Sequence, residues 1–340
     1  VGEEDDFFEL GGHSILAIRL LSRIHSEFGR DLPVATLLSS SSFKAQVEIL
    51  STCEDPPPNL IVDLNSGKGS LPPLFLFHAI GGGAHIYNML ARHLNPRMPV
   101  FGMQSPGLCG ADEPQNVEEL AALHIAAMRT QQPNGPYKLA GWSFGGILAY
   151  EVAQQLTAAG ESVAALELID SYTPAAVLAL EQKLNESLRF DVETTRILAF
   201  ANSLHNGSSE LLAELEQMAG TKPAQALLAH LNATLFDDSA HLKRLFEIFK
   251  THLAAMNSYV PKSYMGGSVT LISADHAFGK GLNAAPGHGW NSIIPAAKLT
   301  RRAIMIASHY NILAEPNVRD LATILGDDLD RVQAREAAKT

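Results

Sequence analysis

The run Tyr137-Lys138-Leu139-Ala140-Gly141-Trp142 passes without a break into Ser143 and then into Phe144-Gly145-Gly146-Ile147-Leu148-Ala149-Tyr150. The first segment reads as a buried strand and the second as a helix. The residue between them therefore sits on a sharp strand-to-helix turn, and Gly141 and Gly145 complete a G-x-S-x-G pattern around it. Small neighbours permit such a turn and lift the serine oxygen clear of the sheet. As a bare five-residue pattern this is common by chance. Between this strand and this helix it points to an exposed nucleophile.

The surrounding sequence alternates short apolar strands with helices, as a mostly parallel sheet covered on both faces requires. Strands are expected over Leu74–Ala79, Pro99–Gln104, Tyr137–Trp142, Val163–Asp170, Ser268–Ser273 and Arg302–Ala307. Helices are expected over His85–Leu94, Val117–Gln132, Phe144–Ala159 and Asn317–Leu325. Between Thr173 and Pro261 the pattern is helical throughout, with Leu and Ala runs, so residues 174–261 are expected to form a lid. Residues 53–72 hold Pro56-Pro57-Pro58 and a Gly/Ser run, which describe a linker. Asn59–Leu64 is a further strand candidate that would move the boundary forward. The expected layout of the 340 residues is a helical domain over 1–52, that linker, and an α/β domain over 73–330.

A serine hydroxyl is a weak nucleophile at neutral pH and needs a base, itself oriented by a carboxylate. The chain order of the α/β-hydrolase fold asks for a histidine after the last strand, and His309 fits. His241, His252, His276 and His288 are read as surface or lid residues. Two acids satisfy the order, Asp170 and Asp275, each at the end of a strand, and spacing leaves both open. The charge developing on a carbonyl oxygen needs preorganised amides. Phe144 supplies one by following the nucleophile. The second is assigned to Ala79, with Ile80 as its neighbour, in the loop Phe77-His78-Ala79-Ile80-Gly81-Gly82-Gly83; His78 is read as shaping that loop. No P-loop Lys-Ser/Thr follows these glycines, which argues against nucleotide binding.

At the N-terminus, Ile15, Ile18, Leu20 or Leu21, Ile24 and Phe28 recur at helical spacing behind Ser14, which would cap that helix. Gly29 and Pro33 stop it. A short helix over Val34–Leu38 and another from Ser41 or Ser42, with Phe43, Val47, Ile49 and Leu50 as apolar contacts, complete a thin core. A helix N-terminus also favours an anion such as a phosphodiester at Ser14.

The stretch Asp5-Asp6-Phe7-Phe8-Glu9-Leu10-Gly11-Gly12-His13-Ser14 through Leu21 resembles the attachment core of a peptidyl carrier domain of nonribosomal peptide synthetases. The resemblance implies 4'-phosphopantetheine carried covalently on Ser14, installed by a phosphopantetheinyl transferase. That family has another helix ahead of the acidic loop, whereas Val1 lies within the loop, so the expected carrier is a partial bundle without its first helix. The α/β part resembles a type I thioesterase of the same synthetases. There the acid follows the earlier strand in a Leu-Ile-Asp-Ser context, which favours Asp170 over Asp275. Together these resemblances imply release of a peptidyl thioester through Ser143, by hydrolysis or macrocyclisation, with condensation and adenylation domains upstream.

A stand-alone serine esterase is the rival reading, but it leaves residues 1–50 without a use. A noncatalytic helical module would leave the Ser143, Asp170 and His309 order unexplained. A net charge of -11 disfavours binding to a phosphate backbone. Cys53 and Cys109 lack a metal-ligand or disulfide spacing, and neither an export signal nor a bilayer-spanning apolar run is present. The expected setting is therefore the cytoplasm, with no metal, nucleic acid or membrane involved.

Overall fold

The computed structural model describes residues 2–5, 7, 10, 14–30, 32, 42–51, 59–65, 69–188, 190–205, 209–235, 239–276 and 286–338. Two compact units emerge. One comprises Val1–Asn59, Ser105–Asp112 and Asn185–Lys250; the other comprises Leu60–Gln104, Glu113–Leu184 and Thr251–Thr340.

The first unit holds α1 (Ser14–Phe28) and α2 (Phe43–Ser51). Leu21, Ile24 and Leu32 form its small core, joined by Phe7, Leu20, Ile49 and Leu50. Ser42 caps α2, its Oγ accepting from the Ala45 amide at 3.3 Å. Three expected core residues face outward instead: Phe28, Phe43 and Val47 are 66%, 54% and 44% exposed. Helices this short cannot turn every apolar position inward. The expected helix over Val34–Leu38 lies outside the described residues, as do the side chains of Ser14, Ile15 and Ile18.

The segment expected as a lid is helical as read: α6 (Pro174–Leu188), α7 (Val192–His205), α8 (Ser209–Ala219), α9 (Ala224–Leu235) and α10 (Ser239–Ser258). Its middle part, Asn185–Lys250, groups with the N-terminal helices rather than with the sheet, a division that differs from the expected layout. Two local facts explain the grouping. Phe200 packs on Phe246 and Phe249 at 5.0 and 5.4 Å, so these helices carry a core of their own. Arg19 of α1 also donates to the Thr234 carbonyl of α9.

The second unit is built on a seven-stranded sheet. In chain order its strands are β1 (Ile61–Asp63), β2 (Leu74–Phe77), β3 (Val100–Met103), β4 (Tyr137–Trp142), β5 (Val163–Ile169), β6 (Val269–His276) and β7 (Leu299–Ser308). Across the sheet they run β1-β3-β2-β4-β5-β6-β7. All neighbours are parallel except β1 against β3. β1 corrects the expected start at residue 73, since Ile61 pairs with Met103 and Asp63 with Phe101. A three-residue edge strand carries too little pattern to separate from a linker.

Helices cover both faces of this sheet. A 3-10 turn over His85–Tyr87 leads into α3 (Asn88–His93), which shares one core with α11 (Asn317–Ala337) through Tyr87, Leu90, Leu321, Leu325 and Leu329. On the other face α4 (Val117–Gln131) packs along α5 (Phe144–Ala158). Asn116 caps α4 by accepting from the Glu119 amide at 2.8 Å. α11 runs twelve residues past its expected end at Leu325. Charged residues hide the period there, and polar contacts hold the helix: Asp328 to Arg331 and Arg302, and Gln333 to Lys138. Because β4 to β7 are parallel, their C-terminal ends open on one edge of the sheet, where such folds gather reactive side chains.

Candidate active site

Ser143 follows β4 and precedes α5 with φ 58° and ψ -124°, a strained conformation for a residue with a side chain. Its amide donates to the Ile169 carbonyl at 3.0 Å, which ties the turn to β5. The flanking glycines are required by close approach. A Cβ on Gly141 would meet the Gly145 carbonyl oxygen at 2.0 Å, and one on Gly145 would meet the Phe77 oxygen at 2.2 Å. The turn is therefore pressed directly against the end of β2.

His309, just past β7, places Nε2 3.1 Å from Ser143 Oγ and Nδ1 2.7 Å from Asp170 Oδ2. Its loop is held by Trp142, whose indole N–H donates to the His309 carbonyl at 3.1 Å while the two rings lie 4.9 Å apart. Asp170 follows the last residue of β5 with φ 40° and is fully buried. Oδ1 accepts from the Ala274 amide at 2.9 Å and from His288 Nε2 at 3.0 Å. Burial opposes the charge on Asp170. The hydrogen bonds from His288 and His309 outweigh it and hold the carboxyl well below the usual carboxylate range. Of the two acids left open by spacing, Asp170 is the one that meets His309, and Asp275 is exposed.

The loop after β2 lies beside this turn. Tyr87 donates to the Phe77 carbonyl at 2.6 Å and accepts from the Trp142 amide at 2.8 Å, locking β2 to β4 where both end. Ala79 is buried, and its carbonyl accepts from the Gly82 amide at 2.9 Å. Phe144, whose amide follows Ser143, is buried against His78 at 6.0 Å and His252 at 5.2 Å between ring centroids.

Two histidines read from sequence as surface or lid residues are buried, one of them, His252, within the expected lid segment. His288 is buried, stacks on Tyr172 at 3.9 Å and contacts the acid. Its signal was Pro286-Gly287-His288-Gly289-Trp290, a glycine-bracketed turn in which residues 287–289 all have positive φ, anchored by the Trp290 indole on the Ser171 carbonyl at 2.8 Å. His252 is buried beside the β2 loop. The side chains of His241 and His276 lie outside the described residues. At the other expected site, Ser14 is the first residue of α1. Among the described residues no helix is long and apolar enough to cross a membrane.

The thioesterase domain family model matches residues 72–276, and the phosphopantetheine attachment site model matches residues 1–50. A probable non-canonical nonribosomal peptide synthetase, CymA, of Salinispora arenicola is 39% identical over 54% of this chain and 2% of its own length. Enterobactin synthase component F of Escherichia coli (strain K12) is 32% identical over 70% of this chain and 19% of its own. The chain thus spans a fifth or less of these relatives. Among solved structures, a four-domain nonribosomal peptide synthetase, holo-AB3403, bound to AMP and glycine, aligns over 96% of this chain and 24% of that one, with TM-score 0.69 and 30% identity. The NocB thioesterase domain aligns over 81% and 99% with TM-score 0.55 and 24% identity, a likeness of fold.

Proposed function

Since the chain belongs to the thioesterase domain family and carries a phosphopantetheine attachment domain ahead of it, we propose that it releases a peptide held as a thioester on its own Ser14. The observation that carries this reading is the Ser143–His309–Asp170 relay, with its 3.1 and 2.7 Å contacts.

Ser14 suits a phosphodiester-linked arm. It opens a fifteen-residue helix with no acidic side chain in the first turn, where free amides favour an anion. When attached, the arm supplies a thiol that carries the peptide as a thioester at an effective concentration of about millimolar.

His309 takes the hydroxyl proton of Ser143 as Oγ bonds to the acyl carbon, and passes it to the sulfur as the C–S bond breaks. Asp170 keeps Nδ1 protonated and faces the imidazolium that forms. The amides of Phe144 and of Ala79, or its neighbour Ile80, meet the carbonyl oxygen in both half-reactions, each donor contributing about 3 kcal/mol. In the second half, His309 deprotonates water, or a hydroxyl or amine of the peptide itself, as it bonds to the acyl carbon, and returns that proton to Ser143 Oγ as the ester bond breaks. The partners of this reading are upstream condensation and adenylation domains and a phosphopantetheinyl transferase, in the cytoplasm.

Intact mass after incubation with coenzyme A and a phosphopantetheinyl transferase tests the attachment: wild type gains one arm and Ser14→Ala gains none. With peptide loaded, Ser143→Ala keeps it bound. Release from that variant at the wild-type rate would overturn the assignment. A panel of synthetic peptidyl thioesters, read by product mass, separates linear acids from rings.

A further inference from the structure

His252 lies in the last two turns of α10 and is fully buried. Both ring nitrogens meet oxygens: Nδ1 lies 2.8 Å from the Ile80 carbonyl and Nε2 lies 2.7 Å from Glu113 Oε1. Both edges of the ring are therefore occupied, one against a backbone carbonyl and one against a carboxyl group. Glu113, with its side chain 8% exposed, is the partner at the Nε2 edge. A buried ion pair is weak evidence for stability, because desolvation offsets the attraction. Its position suggests another use.

The faces of the ring matter as much as its edges. His252 stacks on Phe144, with centroids 5.2 Å apart and planes 23° apart, and on His78 at 4.9 Å and 28°. One imidazole therefore touches both segments that would supply the oxyanion donors: the residue after Ser143 and the loop after β2. Beside it, His78 Nδ1 lies 2.8 Å from the Ala79 carbonyl. Burial first, and then the neighbouring His252 and His124 rings, hold His78 well below its usual range, so it donates as a neutral ring. His124, also buried, is held down to about 3. Consecutive carbonyls, Ala79 and Ile80, are thus each gripped by a histidine. Because the peptide group is planar, the grip of His78 on the Ala79 carbonyl also fixes the Ile80 N–H, and the grip of His252 on the Ile80 carbonyl holds the far side of that same residue.

We infer that His252, backed by Glu113, is a positioning residue for the oxyanion loop, locking the Ile80 carbonyl against the residue that follows the nucleophile. Through it the end of α10 is coupled to the loop and to the residue that would carry the oxyanion amides. This rests on the assignment of Ser143 as nucleophile.

Amide side chains separate the two edges of the ring. His252→Gln keeps a donor near the Nε2 position, facing Glu113, and loses the one to Ile80. The double variant His252→Asn, Glu113→Gln keeps a donor near the Nδ1 position and leaves no carboxylate buried alone. With a synthetic peptidyl thioester, His252→Gln is expected to lose about 100-fold in kcat with KM unchanged, and the double variant to regain about tenfold of that loss. Equal loss in both variants, a change confined to KM, or kcat within threefold of wild type in His252→Gln would overturn the assignment. Should His252→Gln fail to fold, Glu113→Gln decides: it preserves shape and is expected to lower kcat about tenfold, as removal of a carboxylate behind an orienting histidine does elsewhere, and an unchanged kcat would sink the idea. If the nucleophile itself were wrong, Ser143→Ala would stay active, which no result in the His252 series imitates.

Discussion

His288 Nε2 and Asp170 Oδ1 lie 3.0 Å apart, so the carboxylate that faces His309 through one oxygen is gripped by a second histidine through the other. With the Ala274 amide, this gives Asp170 three donors in a buried site. A carboxylate so held stays ionised and cannot rotate away from the base.

Replacing this contact should be visible in acid. The folded-state pKa of Asp170 lies below its unfolded value, so its contribution to stability is complete above about pH 4 and is lost as pH falls through the folded value. His288→Ala removes one of the donors that depress it. The midpoint of acid unfolding should therefore move up by about half a pH unit, followed by circular dichroism, and kcat should fall about tenfold.

The choice between the two acids has a direct kinetic test. Asp170→Asn keeps the shape but offers His309 the wrong partner, and kcat should drop by about 10⁴. Asp275 is exposed and faces no part of the relay, so Asp275→Asn should retain wild-type rates. A reversed pattern in steady-state assays would reassign the acid.

Gly145→Ala should damage stability and turnover together. Its Cβ would fall 2.2 Å from the Phe77 oxygen and 2.9 Å from the His78 oxygen, both backbone atoms that cannot swing aside. Overpacking of this kind costs about 1–3 kcal/mol, measured by urea denaturation. The strain also falls on the loop that carries Ala79.

Away from the site, Glu167 of β5 is 2% exposed, and burial followed by the charge of Asp328 pushes its carboxyl up to about 8. A raised folded-state pKa gives stability that is complete below the unfolded value and is lost as pH rises through the folded one. Wild type should therefore lose stability between about pH 4.5 and 8 in a way that Glu167→Gln does not. Tm of the variant relative to wild type should rise over that interval; parallel curves would show that the carboxyl is charged throughout.

Much of this fold was legible because its signals are local. A parallel strand buried on both faces reads as an apolar run, as β4 and β5 do, and the turn at Ser143 announces itself through glycines that backbone contact demands. β1 was legible only as the Asn59–Leu64 strand candidate, because three residues cannot carry a period. The last three turns of α11 escaped because much of their support is polar, supplied by Arg302 and Lys138 from distant strands.

From sequence alone came the place of Ser143 between strand and helix, the position of His309 after the final strand, and the kind of chain to which a Gly-Gly-His-Ser segment ahead of such a sheet belongs. Choosing the acid without appeal to resemblance, and finding His288 and His252, required the folded chain. Each of these depends on atoms more than a hundred residues apart meeting within about 3 Å in a dry interior, and hydrogen bonding there is governed by distance and desolvation, neither of which has any period along the chain.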